Sequence, residues 1–144
     1  MMPFRLARVA DGLLLAGETA EAAALLAEAV TIAEETGDHW SDPELDRLSG
    51  IAKLRQSGGT GGIEQAELLL RRAITSARDT GQRLIELRAA TNLAGLRIEQ
   101  GRRSEARDLL SPIHSWFTEG LNTQDLREAR ALLAELELRP QCRT

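Results

Sequence analysis

Residues 17–29 read GETAEAAALLAEA, residues 61–73 read GGIEQAELLLRRA and residues 101–113 read GRRSEARDLLSPI. The three stretches share one frame. A glycine (Gly17, Gly61, Gly101) is followed four residues on by an acid or amide (Glu21, Gln65, Glu105), then by an alanine (Ala22, Ala66, Ala106). A leucine pair comes next: Leu25 with Leu26, Leu69 with Leu70, Leu109 with Leu110. The alanines stand 44 and 40 residues apart, an interval at which self-similar sequence means stacked supersecondary units. At helical spacing the alanine and the leucines share one face, and the small side chain lets a neighbouring helix come close. Glycine enters the left-handed conformation of a helix C-terminus without a Cβ penalty, so each of these glycines predicts the end of one helix and a turn into the next. Two units also close alike, with Ala29, Ala33, Thr36 and Gly37 matching Ala73, Ala77, Thr80 and Gly81.

Outward from this frame the whole chain reads as helix. The first helix is expected from Pro3 to Ala16, with Phe4, Leu6, Val9, Leu13 and Leu14 apolar, and its partner carries Ala22, Leu25, Leu26, Ala29, Ile32 and Ala33 at 3.6-residue spacing. Ser41 with Glu44 forms a capping-box pattern, and Pro43 sits where a first helical turn tolerates proline; the acids around His39 and Trp40 then favour the positive end of the helix dipole rather than a metal. A helix from Pro43 to Gln56 uses Leu45, Leu48, Ile51 and Ala52. The run from Ser57 to Gly62 is a glycine-rich turn before a helix, a place that suits a phosphate. It lacks the Gly-Lys-Ser/Thr of a nucleotide loop and reads as a flexible inserted turn. The next helix, Ile63 to Thr80, turns Arg71, Arg72 and Arg78 to solvent, and the third unit begins near Leu84 with a helix that runs to Gly101. Beyond Ser104, a helix cap, Pro112 predicts a kink whose space Trp116 and Phe117 fill. A last helix, capped by Asn122 or Thr123, presents Leu126, Ala129, Leu132, Leu133 and Leu136 as one stripe.

The expected architecture is therefore all-α: one domain over residues 1–144, an α-solenoid of three helix-turn-helix units over about 3–37, 41–81 and 82–120, closed by a capping helix over about 123–138. Composition agrees. A chain of 144 residues buries roughly two-thirds of its unfolded surface, and 42% hydrophobic with 28% charged residues places it among globular proteins rather than disordered or membrane ones. The apolar stretch from Leu13 to Val30 is broken by Glu18, Glu21 and Glu28 and lacks a cleavage pattern, so a cytoplasmic location without membrane contact is expected. Cys142 is the single cysteine, which excludes an internal disulfide or a cysteine metal cluster. A net charge of −4 argues against direct nucleic-acid binding. Lys53 is the only lysine among 18 basic residues, a bias that fits a GC-rich bacterial genome.

The units resemble tetratricopeptide repeats, which place a small residue in each helix and a glycine at the turn, at Ala10, Gly17, Ala22 and Ala29 and again at Ala94, Gly101 and Ala106. The longer period implies longer helices than that family's. Residues 87–120, LRAATNLAGLRIEQGRRSEARDLLSPIHSWFTEG, and 122–136, NTQDLREARALLAEL, are similar to the C-terminal helical repeats of large bacterial signalling proteins. In those proteins a cyclase or DNA-binding module and an ATPase precede the repeats. The resemblance implies a regulatory or protein-binding segment and lends the chain no cyclase or ATPase chemistry, because no residues of those modules are present.

No zinc-protease helix, paired-cysteine motif, Walker loop or nucleophile elbow occurs, and His39 and His114 are too far apart in sequence to imply a shared site. The reading is a non-enzymatic interaction module with no cofactor and no metal. The first helix of each hairpin lines the inner face of such a stack, so Arg47, Arg55, Arg88 and Asn92 are the candidate partner-binding residues, and an acidic segment or a C-terminal carboxylate is the expected protein or peptide partner. Two alternatives remain: a homodimer through Phe4, Leu14, Trp116 and Phe117, or a small-molecule sensor with a pocket at Trp40 or Trp116.

Overall fold

The computed structural model describes residues 3–56, 60–117 and 124–138. They form seven helices and, among the described residues, no strand: α1 (Pro3–Leu15), α2 (Thr19–Thr36), α3 (Asp42–Gln56), α4 (Thr60–Asp79), α5 (Arg83–Glu99), α6 (Arg103–Trp116) and α7 (Gln124–Leu138). The expectations for Gly58 and Gly59, for the caps Asn122 and Thr123, and for Cys142 lie outside the described residues.

Three of the turns are the same object. Gly17, Gly81 and Gly101 have φ of 85°, 77° and 80°, the left-handed region that only glycine enters cheaply. In each, the glycine N–H donates to the carbonyl three residues back, at Leu14, Arg78 and Ile98, and the next residue donates to the carbonyl five back, at Leu13, Ala77 and Arg97. This is the paired bond pattern that satisfies the last carbonyls of a helix. That next residue (Glu18, Gln82, Arg102) at once accepts the first bond of the following helix, from Ala22, Glu86 and Ala106. Gly37, with φ of 76°, closes α2 by donating to the Ala33 carbonyl.

Gly61 departs from the expectation. Its place in the repeat frame suggested a helix end, but it lies in the first turn of α4, which begins at Thr60. The frame specifies a small residue without specifying φ, and helix can start upstream of a glycine as readily as at it.

Among the described residues the odd-numbered helices form a contiguous row, α1 touching α3, α3 touching α5 and α5 touching α7, while α2, α4 and α6 touch their chain neighbours but not one another. One apolar cluster joins α1, α2 and α3 through Leu6, Ala10, Leu14, Leu26, Leu45 and Leu48; a second joins α4 to α7 through Leu70, Leu87, Leu93, Leu110 and Leu126. Each such leucine contributes about 1.5–3 kcal/mol by leaving water. The clusters meet where α3 crosses α4 at Gly50, where an added Cβ would stand 3.3 Å from both the Ala66 carbonyl oxygen and Leu70 Cγ.

Three details differ from the sequence expectation. Leu14 is buried in the first cluster rather than offered outward. Helix α6 is one continuous element through Pro112. Trp116 does not fill a bend: it is 55% exposed, edge-on to Phe117 at 5.2 Å between ring centroids, with the Arg83 guanidinium over its ring at 4.7 Å. No described helix is long and apolar enough to cross a membrane.

Candidate interaction groove

A polar ladder crosses the row of odd helices. Arg47 of α3 is almost wholly buried; its Nε and Nη2 donate to the two Glu44 carboxylate oxygens at 2.8 Å each, and its Nη1 donates to Asn92 Oδ1 of α5 at 3.0 Å. Burial works to discharge Arg47, but the Glu44 carboxylate outweighs it and, with Asp11 and Asp125 nearby, holds the guanidinium above its ordinary pKa. Arg88, one turn before Asn92, donates through Nε to Asp125 of α7 at 3.0 Å and stands 3.8 Å from Glu44. Arg55 donates to the Leu14 carbonyl at the end of α1.

The four residues that the sequence singled out thus have assigned partners within the fold. Arg47, Arg88 and Asn92 come together across α3 and α5, while Arg55 stands apart at the far end of α3. Helical phase placed three of them on a common face, but periodicity does not say what stands opposite. Arg47 and Arg88 are matched by Glu44, Asp125 and Asp11, so the ladder offers no surplus positive charge. The expected selection for an acidic partner therefore loses its electrostatic basis at this face.

Beside the ladder the odd helices leave a groove of about 370 Å³. One wall is α1, with Arg8, Asp11 and Gly12 along it and Leu15 at its end; the other walls are the turn before α3 with Trp40, and the N-terminal parts of α3 and α5 with Glu44, Ile85 and Arg88. Leu15 is 80% and Trp40 61% exposed. Large apolar side chains held at the lip of a groove are what binding surfaces use as anchors. The Trp40 main chain is fixed from behind: its backbone N–H donates to Asp38 Oδ1 at 3.3 Å, and its backbone carbonyl accepts from Gln82 Nε2 at 3.0 Å. Next to it, His39 Nδ1 lies 2.9 Å from Asp42 Oδ2. In the sequence Trp40 reads as a neighbour of the helix-capping acids and as a candidate wall of a sensor pocket. The signal was available, since one of two tryptophans in the chain stands in a polar run with no helical stripe to join.

Elsewhere, buried charges tie helices together. Glu86 is 1% exposed between Arg78 Nε at 2.8 Å and Arg83 Nη1 at 3.1 Å, and Arg97, 4% exposed, donates to Glu67 of α4 at 2.6 Å. No group of three or more metal-ligating side chains comes together among the described residues. No protein-family model matches the chain, and comparison with curated proteins and with solved structures yields no match.

Proposed function

We propose that the chain is a non-enzymatic protein-binding module, a tetratricopeptide-like α-solenoid of three helical hairpins closed by α7, whose groove across α1, α3 and α5 takes a segment of a partner protein. The observation that carries this is the groove itself, with Trp40 and Leu15 exposed at its edge against a polar wall that is already internally neutralised. Such a site selects by shape and by an apolar anchor rather than by net charge, so the partner is a short peptide presenting one bulky apolar side chain among uncharged neighbours. The succession of contacts along the odd helices supports a solenoid. The likeness of residues 87–136 to the repeats of signalling proteins supports a regulatory setting in the cytoplasm, in which this module receives a partner and performs no reaction itself.

Selection of displayed random peptides on the immobilised chain tests the reading. Peptides sharing a large apolar residue should enrich, and Trp40→Ala should weaken the best of them by about 30-fold, the cost of a truncated aromatic anchor, with the melting temperature unchanged. A selection without enrichment, or binding indifferent to Trp40→Ala and Leu15→Ser, rejects it.

A further inference from the structure

The groove across α1, α3 and α5 holds a hydroxyl that the fold does not use. Ser41 lines that groove and is 8% exposed. Its sequence pattern with Glu44 is that of a capping box, but the side-chain bonds of that box do not form. The Glu44 carboxylate gives both oxygens to Arg47, and the Ser41 carbonyl accepts the first bond of α3, from the Leu45 N–H at 2.9 Å. Ser41 Oγ makes no hydrogen bond among the described residues. An enclosed hydroxyl without a partner costs free energy, and a group seated in the groove is placed to bond it.

The surroundings define that group. The Gln82 amide lies against the peptide unit joining Trp40 to Ser41: its Nε2 donates to the Trp40 carbonyl and to Thr80 Oγ1, both at 3.0 Å, while its Oε1 accepts no bond among the described residues. Asp11, on the α1 wall, has no side-chain hydrogen bond or ion pair among the described residues, apart from its electrostatic pull on Arg47. Ser41, Gln82 and Asp11 thus offer oxygens, so the occupant contributes a donor. The charged lining residues cancel, Arg8 and Arg88 against Asp11 and Glu44, which favours a neutral donor over a cation. Trp40, exposed at the lip, supplies a ring against which a second ring packs offset or edge-on. At about 370 Å³ the groove stands at the small end of the roughly 300–1,000 Å³ of ligand pockets, room for one large side chain and not for a helix.

We infer that the partner side chain seated in this groove is an aromatic ring carrying one neutral N–H or O–H, a tyrosine or a tryptophan, which packs on the Trp40 ring and donates to Ser41 Oγ. This rests on the reading of the groove as a peptide site and adds a chemical selection within it. Phenylalanine and leucine fill the same space but leave Ser41 without its bond, and a site that hydrogen-bonds its ligand discriminates against the analogue lacking the donor. The groove is open to water, so the discrimination is that of one net hydrogen bond.

Titration of the full chain with the N-acetyl amides of tyrosine, tryptophan, phenylalanine and leucine, followed through the backbone amide resonances of Trp40, Ser41 and Gln82, tests this. The tyrosine and tryptophan amides should bind on the order of tenfold tighter than the other two. Ser41→Ala should erase that ratio and leave the phenylalanine affinity unchanged, a result that a merely structural role for Ser41 would not produce. Gly12→Leu, on the α1 wall where an added Cβ meets nothing within 4 Å, should block all four probes. Melting curves establish that both variants fold. Phenylalanine amide binding as tightly as tyrosine amide, or a ratio indifferent to Ser41→Ala, overturns the inference and leaves the groove an apolar peptide site. Resonances unmoved by all four probes overturn it as well, and the peptide selection then decides separately whether the groove binds peptides.

Discussion

Asp46 lies on α3 against α4, its side chain 14% exposed, with Arg72 Nη2 at 3.2 Å. Burial pushes its carboxyl up, Arg72 pulls it down, and Asp42 one turn earlier pushes it up again; the outcome is a pKa of about 6 against an ordinary 3.8. Between those two values the folded chain keeps a proton that the unfolded chain has released. Stability therefore falls as pH rises from about 4 to about 6 and stays reduced above that, with no contribution from this group below both values. A shift of this size, at 1.36 kcal/mol per unit, makes the ionised carboxylate a liability of about 3 kcal/mol at neutral pH. Asp46→Asn keeps the shape and an acceptor for Arg72 and removes the charge. It should recover on the order of 2 kcal/mol at pH 7, or roughly 4–8 °C in melting temperature for a chain of this size, and close to nothing at pH 4. Thermal melts of both proteins from pH 4 to pH 8 measure it. A variant whose advantage is constant with pH, or that is less stable at pH 7, would show that the Arg72 pair outweighs burial and refute the reasoning.

Two further outcomes follow from packing and charge. Arg47→Ala leaves Asn92 without its partner and Glu44 with only the 3.8 Å contact to Arg88, and should cost about 3 kcal/mol in urea unfolding; Arg47→Met with Glu44→Leu should recover most of that loss, and equal loss in the single and double variants would contradict the pairing. Gly50→Ala should destabilise by about 1 kcal/mol, because a Cβ 3.3 Å from a backbone carbonyl outweighs the gain in helix propensity. Gly95→Ala, with nothing within 4 Å of the new atom, should stabilise by about 0.5–1 kcal/mol. Equal effects at the two glycines would remove the close crossing of α3 and α4.

The helices were legible because their period and their punctuation agree. Gly17, Gly37, Gly81 and Gly101 all take the positive φ that their position at the end of an apolar stripe demands. Gly61 shows the limit, since the same residue in the same frame serves inside a helix. Gly50 went unread because its reason is another backbone, and tertiary approach leaves no periodic trace. Glu86 and Arg97 look like ordinary surface charges in sequence; besides neighbours one turn away, the residues that make their burial tolerable stand eight and thirty positions off. At the groove, Arg47, Arg88 and Asn92 lie together, but the acids that neutralise the arginines come from α3 and α7, and no pattern along α5 announces Asp125.

The residue after each turn glycine belongs to two helices, finishing one ladder and starting the next. At Gly17 with Glu18, Gly81 with Gln82 and Gly101 with Arg102, no spare link exists to absorb a change of length. One amino acid inserted between the glycine and its neighbour would separate the two paired bonds that close the first helix from the bond that opens the second. A tag or reporter placed at one of these elbows would therefore interrupt the hydrogen bonds that join the two helices of the hairpin it was meant to mark.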